Sequence, residues 1–248
     1  MMSGMTIWGY HPVKEFVMRR PDAIEKIGVI PSFGRRRRDR GLLKVMEKKG
    51  VFVQKMPRLQ GLGVPEQAVH QGIGAIVRRV WEMDEDAFRF FVREGGPESG
   101  LMVACDEITD PHNFGAILRG AVSLGASCVI TQSRGSAPVT GVVAKSSSGA
   151  LAVIKIVQCK RLRHGLEFLK ENGWRIIGLD PVAENIIWEE DFKDRVVFVL
   201  GSEEKGLRKT IKATCHALCR IPLLGTIHSL NVSQASGIVL YESLRQRN

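Results

Sequence analysis

The 248-residue chain is 44% hydrophobic and 25% charged, a globular composition with room for one large domain or two modest ones. No apolar run approaches the roughly 20 residues of a membrane span. Met1 to Tyr10 lacks the charged-then-apolar layout of a secretory signal, and five cysteines, an odd number, suit a reducing cytoplasm better than a disulfide framework. The net charge of +10 is unevenly placed. Residues 1–80 hold 16 Lys+Arg against 6 Asp+Glu, and residues 81–248 hold 20 of each. The whole excess therefore sits in the first third, where a localised positive field suits a nucleic-acid backbone, a solubilising basic face being the other reading.

Taken in chain order, the first eighty residues read as a small α/β unit. Val13, Phe16 and Val17 predict a helix over Val13 to Arg19. Ile27 to Ile30 reads as a strand. Arg35, Arg36, Arg37, Arg38 and Arg40 lie between Gly34 and Gly41, in a loop or helix start. Neighbouring guanidiniums repel, so this run needs solvent or anions. It is either a mobile exposed loop or a grip on phosphate, and the two are compatible. Leu42 to Lys48 continues as helix and stops at Gly50. Val51 to Val53 and Ile73 to Val77 are further strand candidates. We read 1–80 as a basic domain, 81–99 as a linker and the start of the next domain, and 100–248 as that domain.

From Leu101 the pattern alternates. Strands are expected at Leu101 to Cys105, Ser127 to Thr131, Val153 to Val157, Arg175 to Leu179 and Val196 to Leu200. One helix follows Asn113, read as its cap, with Phe114, Ile117, Leu118, Ala121 and Leu124 on its apolar face and Gly125 at its end. Another carries Leu162, Leu166 and Leu169, and a last one runs from Asn231 or Val232 toward Arg245. The fold class is α/β, with a mostly parallel sheet covered on both faces.

Ligands of such sheets bind at loops leaving the strand C-termini, and three such loops carry unusual residues. The first is Asp-Glu-Ile-Thr-Asp-Pro-His-Asn (106–113), with Arg119 further along the helix in an apolar stretch. That charge needs either a salt-bridge partner or a cleft. The second, Gly-Ser-Glu-Glu-Lys-Gly (201–206), matches neither the triphosphate-binding nor the dinucleotide-binding glycine pattern, although a plain turn would also account for it. The third, Ile221 to Ser233, is unusually apolar for a loop and ends in Ser229 and Asn231, the latter also a natural helix cap.

Together these segments resemble the three signature motifs of the SpoU family of RNA ribose 2′-O-methyltransferases. The first is Asp-Pro-His-Asn-Phe-Gly-Ala-Ile-Leu-Arg, the second Gly-Ser-Glu-Glu-Lys-Gly, and the third Ile-Pro-Leu followed by Ser-Leu-Asn-Val-Ser. Gly9-Tyr10-His11-Pro12-Val13 and His70-Gln71-Gly72 resemble the RNA-binding domain of the branch that methylates guanosine in 23S ribosomal RNA. The resemblance implies a SPOUT-type domain with a deep trefoil knot, an exception to the unknotted rule. It also implies S-adenosylmethionine as cofactor, a homodimer, and a front domain like kink-turn-binding ribosomal proteins.

By the same resemblance, Asn113, Arg119, Glu203, Ser229 and Asn231 are the catalytic set, and Gly201, Ile221 and Leu230 contact the cofactor. The chain departs from many relatives at Ala152 and Lys155. A guanidinium is a poor base at neutral pH, so Arg119 is expected to hold phosphate and stabilise charge developing on the ribose oxygen. Glu203 would hold loop geometry or position Arg119. No metal is expected, because Cys215-His216 with Cys219 makes only half a zinc site. His228 reads as a surface histidine or a substrate contact. Transfer RNA as substrate, an antibiotic-resistance methylation of ribosomal RNA, or a non-catalytic ribosome-assembly role are the alternatives.

Overall fold

The computed structural model describes residues 4–226 and 229–248. In chain order the elements are β1 (Met5–Trp8), α1 (Tyr10–Arg19), β2 (Ile24–Val29), α2 (Arg37–Lys48), β3 (Val53–Lys55), β4 (Ile73–Val77), β5 (Glu82–Met83) and α3 (Glu85–Arg93). There follow β6 (Leu101–Asp106), α4 (Pro111–Ser123), β7 (Cys128–Gln132), α5 (Gly141–Ser146), β8 (Lys155–Cys159), α6 (Leu162–Glu171) and β9 (Arg175–Leu179). The last are β10 (Asn185–Ile186), β11 (Val196–Gly201), α7 (Lys209–Lys212), β12 (Ala217–Arg220) and α8 (Val232–Arg247). Two compact units result. One is Met1–Trp81 with Val139–Val153; the other is Glu82–Pro138 with Ile154–Asn248.

The first unit is a four-stranded sheet in the order β1-β4-β2-β3, with β2 and β3 parallel and the other pairs antiparallel. Val13, Phe16 and Val17 put the apolar face of α1 into its core beside Trp81. Residues 139–153 join this unit through a close approach. A Cβ at Gly141 would fall 1.9 Å from a ring carbon of Trp8, so only glycine lets α5 lie against the end of β1.

The second unit is an eight-stranded sheet ordered β10-β12-β9-β11-β6-β7-β8-β5, parallel throughout. All six residues of β6 are buried, as are the first five of β11. Continuous apolar runs such as Leu-Met-Val-Ala-Cys are what a strand covered on both faces requires. The chain lays β6, β7 and β8 in one direction, then returns to place β9 on the other side of β11. The order therefore reverses at β11, and such switch points open crevices at the strand C-termini.

α8 packs along α4 and is fixed at both ends. Asn231 caps its start by accepting a hydrogen bond from Ser233 N at 2.9 Å. Arg247 at its end donates from Nε to Phe192 O at 2.8 Å and from Nη2 to Asp194 O at 2.7 Å. Sixteen residues span about 24 Å at 1.5 Å per residue, enough to run from the loop edge of the sheet to the opposite edge.

Several expectations are corrected. Asn113 does not cap α4. Asp110 does, accepting from His112 N at 2.9 Å, because Pro111 takes the first helical position, where its missing N–H costs nothing. The stretch 81–99, read as a linker and the start of the next domain, carries β5 and α3. Asp84 caps α3, accepting from Ala87 N at 2.7 Å, and Phe88 and Val92, one turn apart, are buried. Two strands begin two residues later than read. Val51 N closes the end of α2 on Met46 O at 2.9 Å, and Val153 N bonds to Ala150 O at 3.0 Å in a turn. α5, α7, β10 and β12 were not foreseen.

Phe198 is fully buried and meets Phe192 edge-on at 4.9 Å between ring centroids. Phe198→Ala is expected to cost about 3–5 kcal/mol, read as a lower urea midpoint with unchanged slope.

Candidate active site

The three loops singled out from sequence converge at the C-terminal edge of the parallel sheet, and their side chains bond directly. Glu203 Oε1 accepts from Asn113 Nδ2 at 2.5 Å and from Asn231 Nδ2 at 2.7 Å. Asn231 Nδ2 also donates to Asn113 Oδ1 at 3.0 Å. Asn231 Oδ1 is left to accept from Ser233 N and, at 2.6 Å, from Ser233 Oγ. Each amide is thereby fixed in one orientation. A carboxylate can only accept here, so it selects the NH2 ends of both asparagines.

A fourth residue anchors this edge from below. Asp106, fully buried at the end of β6, accepts from Arg208 Nε at 2.7 Å and, through Oδ2, from Arg208 N at 2.9 Å. Arg208 Nη2 donates to Gln132 Oε1 at 2.8 Å, and Nη1 lies 3.2 Å from Glu107 Oε1. One guanidinium thus ties together the loops after β6, β7 and β11. The sequence reading passed over Arg208. Its signal was an acid ending an otherwise apolar strand, which requires a cationic partner.

Two pockets open on this edge and share a wall at 202–205. The first, of about 320 Å³, lies over β12, β9 and β11. Leu200, Ile221, Leu223 and Leu230 supply apolar surface, with Gly201, Glu203 and Ser229 among its other lining residues. The second, of about 330 Å³, lies over β11, β6 and β7 and is polar, lined by Glu107, Asp110, Asn113, Glu203 and Lys205 together with Gly135.

The 201–206 loop is a closed turn, with Gly206 N donating to Ser202 O at 2.8 Å. A Cβ at Gly201 would stand 2.3 Å from the Gly206 carbonyl carbon, so no other residue allows the turn to fold back.

Of the expected residues, Gly201, Ile221, Leu230, Ser229 and Glu203 line the first pocket, and Asn113 and Glu203 the second. Asn231 joins them through its bonds to Asn113 and Glu203. Arg119 stands apart. It is exposed on α4, lines neither pocket, and six residues of helix turn it well away from Asn113. Among the described residues it forms no ion pair, with Glu203 or any other acid. His228 lies outside the described residues.

The basic run divides between turn and helix. Arg37, Arg38 and Arg40 fall in the first turn of α2, preceded by Arg35 and Arg36. Arg40 Nη1 donates to Arg35 O at 2.8 Å and so braces the turn, while the Arg38 guanidinium lies 4.7 Å from the Tyr10 ring centroid. Cations at the positive end of a helix dipole repel it, and a bound anion would relieve that repulsion.

The cysteines carry no reactive thiol. Burial pushes Cys105, Cys128, Cys159, Cys215 and Cys219 up to about 12. His216 Nδ1 accepts a hydrogen bond from Ile176 N at 2.9 Å. Burial, and then the charges of Lys170 and Arg175, hold its pKa below the usual imidazole value.

An open parallel sheet with an apolar pocket at its switch point, flanked by a bonded polar cluster, is the arrangement in which α/β proteins bind small ligands. Residues 100–241 match the SpoU rRNA Methylase family. The chain is 36% identical to the 23S rRNA (guanosine-2'-O-)-methyltransferase RlmB of Coxiella burnetii, covering 98% of this chain and 96% of that protein. It is 33% identical to the protein of the same name from Vibrio parahaemolyticus, covering 99% and 98%. In fold it resembles the SpoU methyltransferase AviRb of Streptomyces viridochromogenes, solved with the cofactor AdoMet, at 23% identity, a TM-score of 0.77, and coverage of 99% and 91%. The chain belongs to the SpoU rRNA methylase family.

Removing the guanidinium by Arg208→Ala leaves the Asp106 carboxylate buried without its partner. We expect a loss of about 3 kcal/mol, the low end for a broken buried pair because Arg208 is partly exposed. Asp106→Asn should cost less. Chemical denaturation of both variants checks the order.

Proposed function

We propose that this protein transfers the methyl group of S-adenosylmethionine to the ribose 2′-hydroxyl of a guanosine in 23S ribosomal RNA. The observation that carries the reading is the meeting of three motif loops. Asn113, Glu203 and Asn231, far apart in sequence, are hydrogen-bonded to one another beside an apolar pocket. The relatives of nearly full shared length, named for guanosine methylation of that RNA, support the substrate.

The first pocket fits the cofactor chemically. Leu200, Ile221, Leu223 and Leu230 offer apolar walls for a flat purine, and its volume suits a ligand of that size. Glu203 and Glu204 set negative charge beside it, as a sulfonium cation requires. When bound, S-adenosylmethionine supplies an electrophilic methyl group.

The remaining work falls to the chain. Gly201 and Leu230 shape the pocket on either side. Glu203 locks Asn113 and Asn231, so the second pocket keeps a fixed polar wall toward which a ribose can be oriented. Orientation of this kind contributes up to roughly 7–11 kcal/mol in favourable cases. Ser229 adds a hydroxyl at the rim. Arg119, whose cation no carboxylate neutralises among the described residues, holds the substrate phosphate and stabilises charge on the attacking oxygen.

Because Arg119 lines neither pocket of its own copy, the reading includes a homodimer in which Arg119 serves the site of a second copy. The exposed Ile238 and Tyr241 on the neighbouring α8 suit such an interface. The trefoil-knotted path of the family and a cytoplasmic setting belong to the same reading. The unit containing residues 1–81 would be the RNA-binding module, with Arg35 to Arg38 on phosphate.

Arg119→Ala should lower the rate of methyl transfer at least 100-fold while calorimetry finds cofactor affinity unchanged. Equal losses in both would reject the role. Converting Arg35, Arg36, Arg37 and Arg38 to glutamine should weaken RNA binding and flatten its dependence on salt. An unaltered slope would remove these residues from the interface.

A further inference from the structure

We propose that the RNA strand beside the target nucleotide runs along the loop edge of the large sheet over β7 and β8, its phosphates held by Arg134, Lys160 and Arg161. This rests on the methyltransferase reading above and adds a substrate path to it. Strand order carries the inference. Passing along the edge, the apolar pocket lies over β12, β9 and β11, and the polar pocket over β11, β6 and β7. The next positions in the same direction are the ends of β7 and β8, and these carry the cations.

Gly135 is part of the polar pocket's wall, and Arg134 is its immediate neighbour. Ser133 N donates to Cys159 O at 2.9 Å, which ties the loop after β7 to the end of β8. Lys160 and Arg161 follow directly. All three side chains are exposed, and among the described residues none forms an ion pair. Their neighbour Arg163 is different, being held by Glu167 at 2.7 Å.

The row has a clear limit. β5 pairs beyond β8, and there Asp84, Glu85 and Asp86 begin α3. Glu85 accepts from Lys160 N, the backbone amide. The acidic start of α3 therefore bounds the row on the side away from the pocket. With strands about 4.8 Å apart, the row extends roughly 10 Å from the pocket, within reach of the phosphates next to a nucleotide seated there. Residues 81–248 are neutral overall and charges are screened beyond about 8 Å at physiological salt, so beside the pocket it is a local row of unpaired cations, not net charge, that acts on RNA.

The test uses the full chain, a transcript of the ribosomal RNA region methylated by its relatives, and the triple variant Arg134→Gln/Lys160→Gln/Arg161→Gln. The logarithm of RNA affinity against the logarithm of salt should lose about 2 from its slope, at roughly 0.7 per single-strand phosphate contact. KM for RNA should rise at least tenfold, with kcat within about threefold of the parent, the split expected for lost uniform binding. Affinity for S-adenosylmethionine should hold. An unchanged slope and KM would overturn the path. So would a fall confined to kcat. A variant that loses cofactor affinity is replaced by the three single substitutions, each expected to lower the slope by roughly 0.7, and three unchanged slopes would again overturn it. If the parent methylates no ribosomal transcript, it is the functional reading that fails. If the parent is active and only the Arg35–Arg38 variant changes the slope, that reading stands and the path falls.

Discussion

One carboxylate organises the loop edge of the large sheet. Glu203 Oε1 receives two amide protons from residues 90 and 28 positions away. A serine or glutamine there could not accept two such bonds with the same charge assistance. Because the acceptor is fixed, both asparagines present their remaining atoms in a single arrangement. The start of α8, the 201–206 loop and the first turn of α4 are consequently held in register. Everything assigned to the site, from the apolar pocket to the polar one beside it, is built around that point.

The Asp106–Arg208 pair performs a related task one layer deeper. Asp106 ends a strand whose other residues are apolar and buried, a costly place for a charge unless a cation meets it. Arg208 meets it with side chain and backbone together, and spends its remaining donors on Gln132 and Glu107. The upper layer positions groups for chemistry, and the lower layer keeps the loops carrying them from drifting apart. Rigidity of that kind matters because misplacement by about 1 Å can cost 100-fold in rate.

Much of this was legible in the sequence because the large sheet is parallel. Its strands are continuous apolar runs, and Arg175 to Leu179 was read with its exact bounds. The three loops stood out because Asp, Asn, Glu and Ser followed such runs where a surface turn would serve equally well. What escaped was set by tertiary context. α3 begins in an acidic stretch that resembles a linker, and its two buried residues become a face only once the helix exists. Residues 141–146 join the first unit through a close contact at Gly141 that no periodicity announces. Asn113 was read as a cap, whereas Asp110 stands before a proline that fixes the helix start. That freed the Asn113 amide for Glu203. Arg208 was passed over because its partner lies 102 residues earlier in the chain.

The pairing of β6 with β11 has a consequence for synthesis. Leu101 lies opposite Val196, so the most buried strand of the sheet must wait for a neighbour made 95 residues later. Pairings this remote form slowly. While the ribosome adds the intervening segment, β6 offers an open apolar edge to other nascent chains. Arg247 closes the far end of α8 on Phe192 O and Asp194 O, just before β11, so α8 is secured only after that segment has been made. A copy cut short before Arg247 would retain the sheet's first strands but lack the clamp at the far end of α8, leaving the helix free to lift from the sheet.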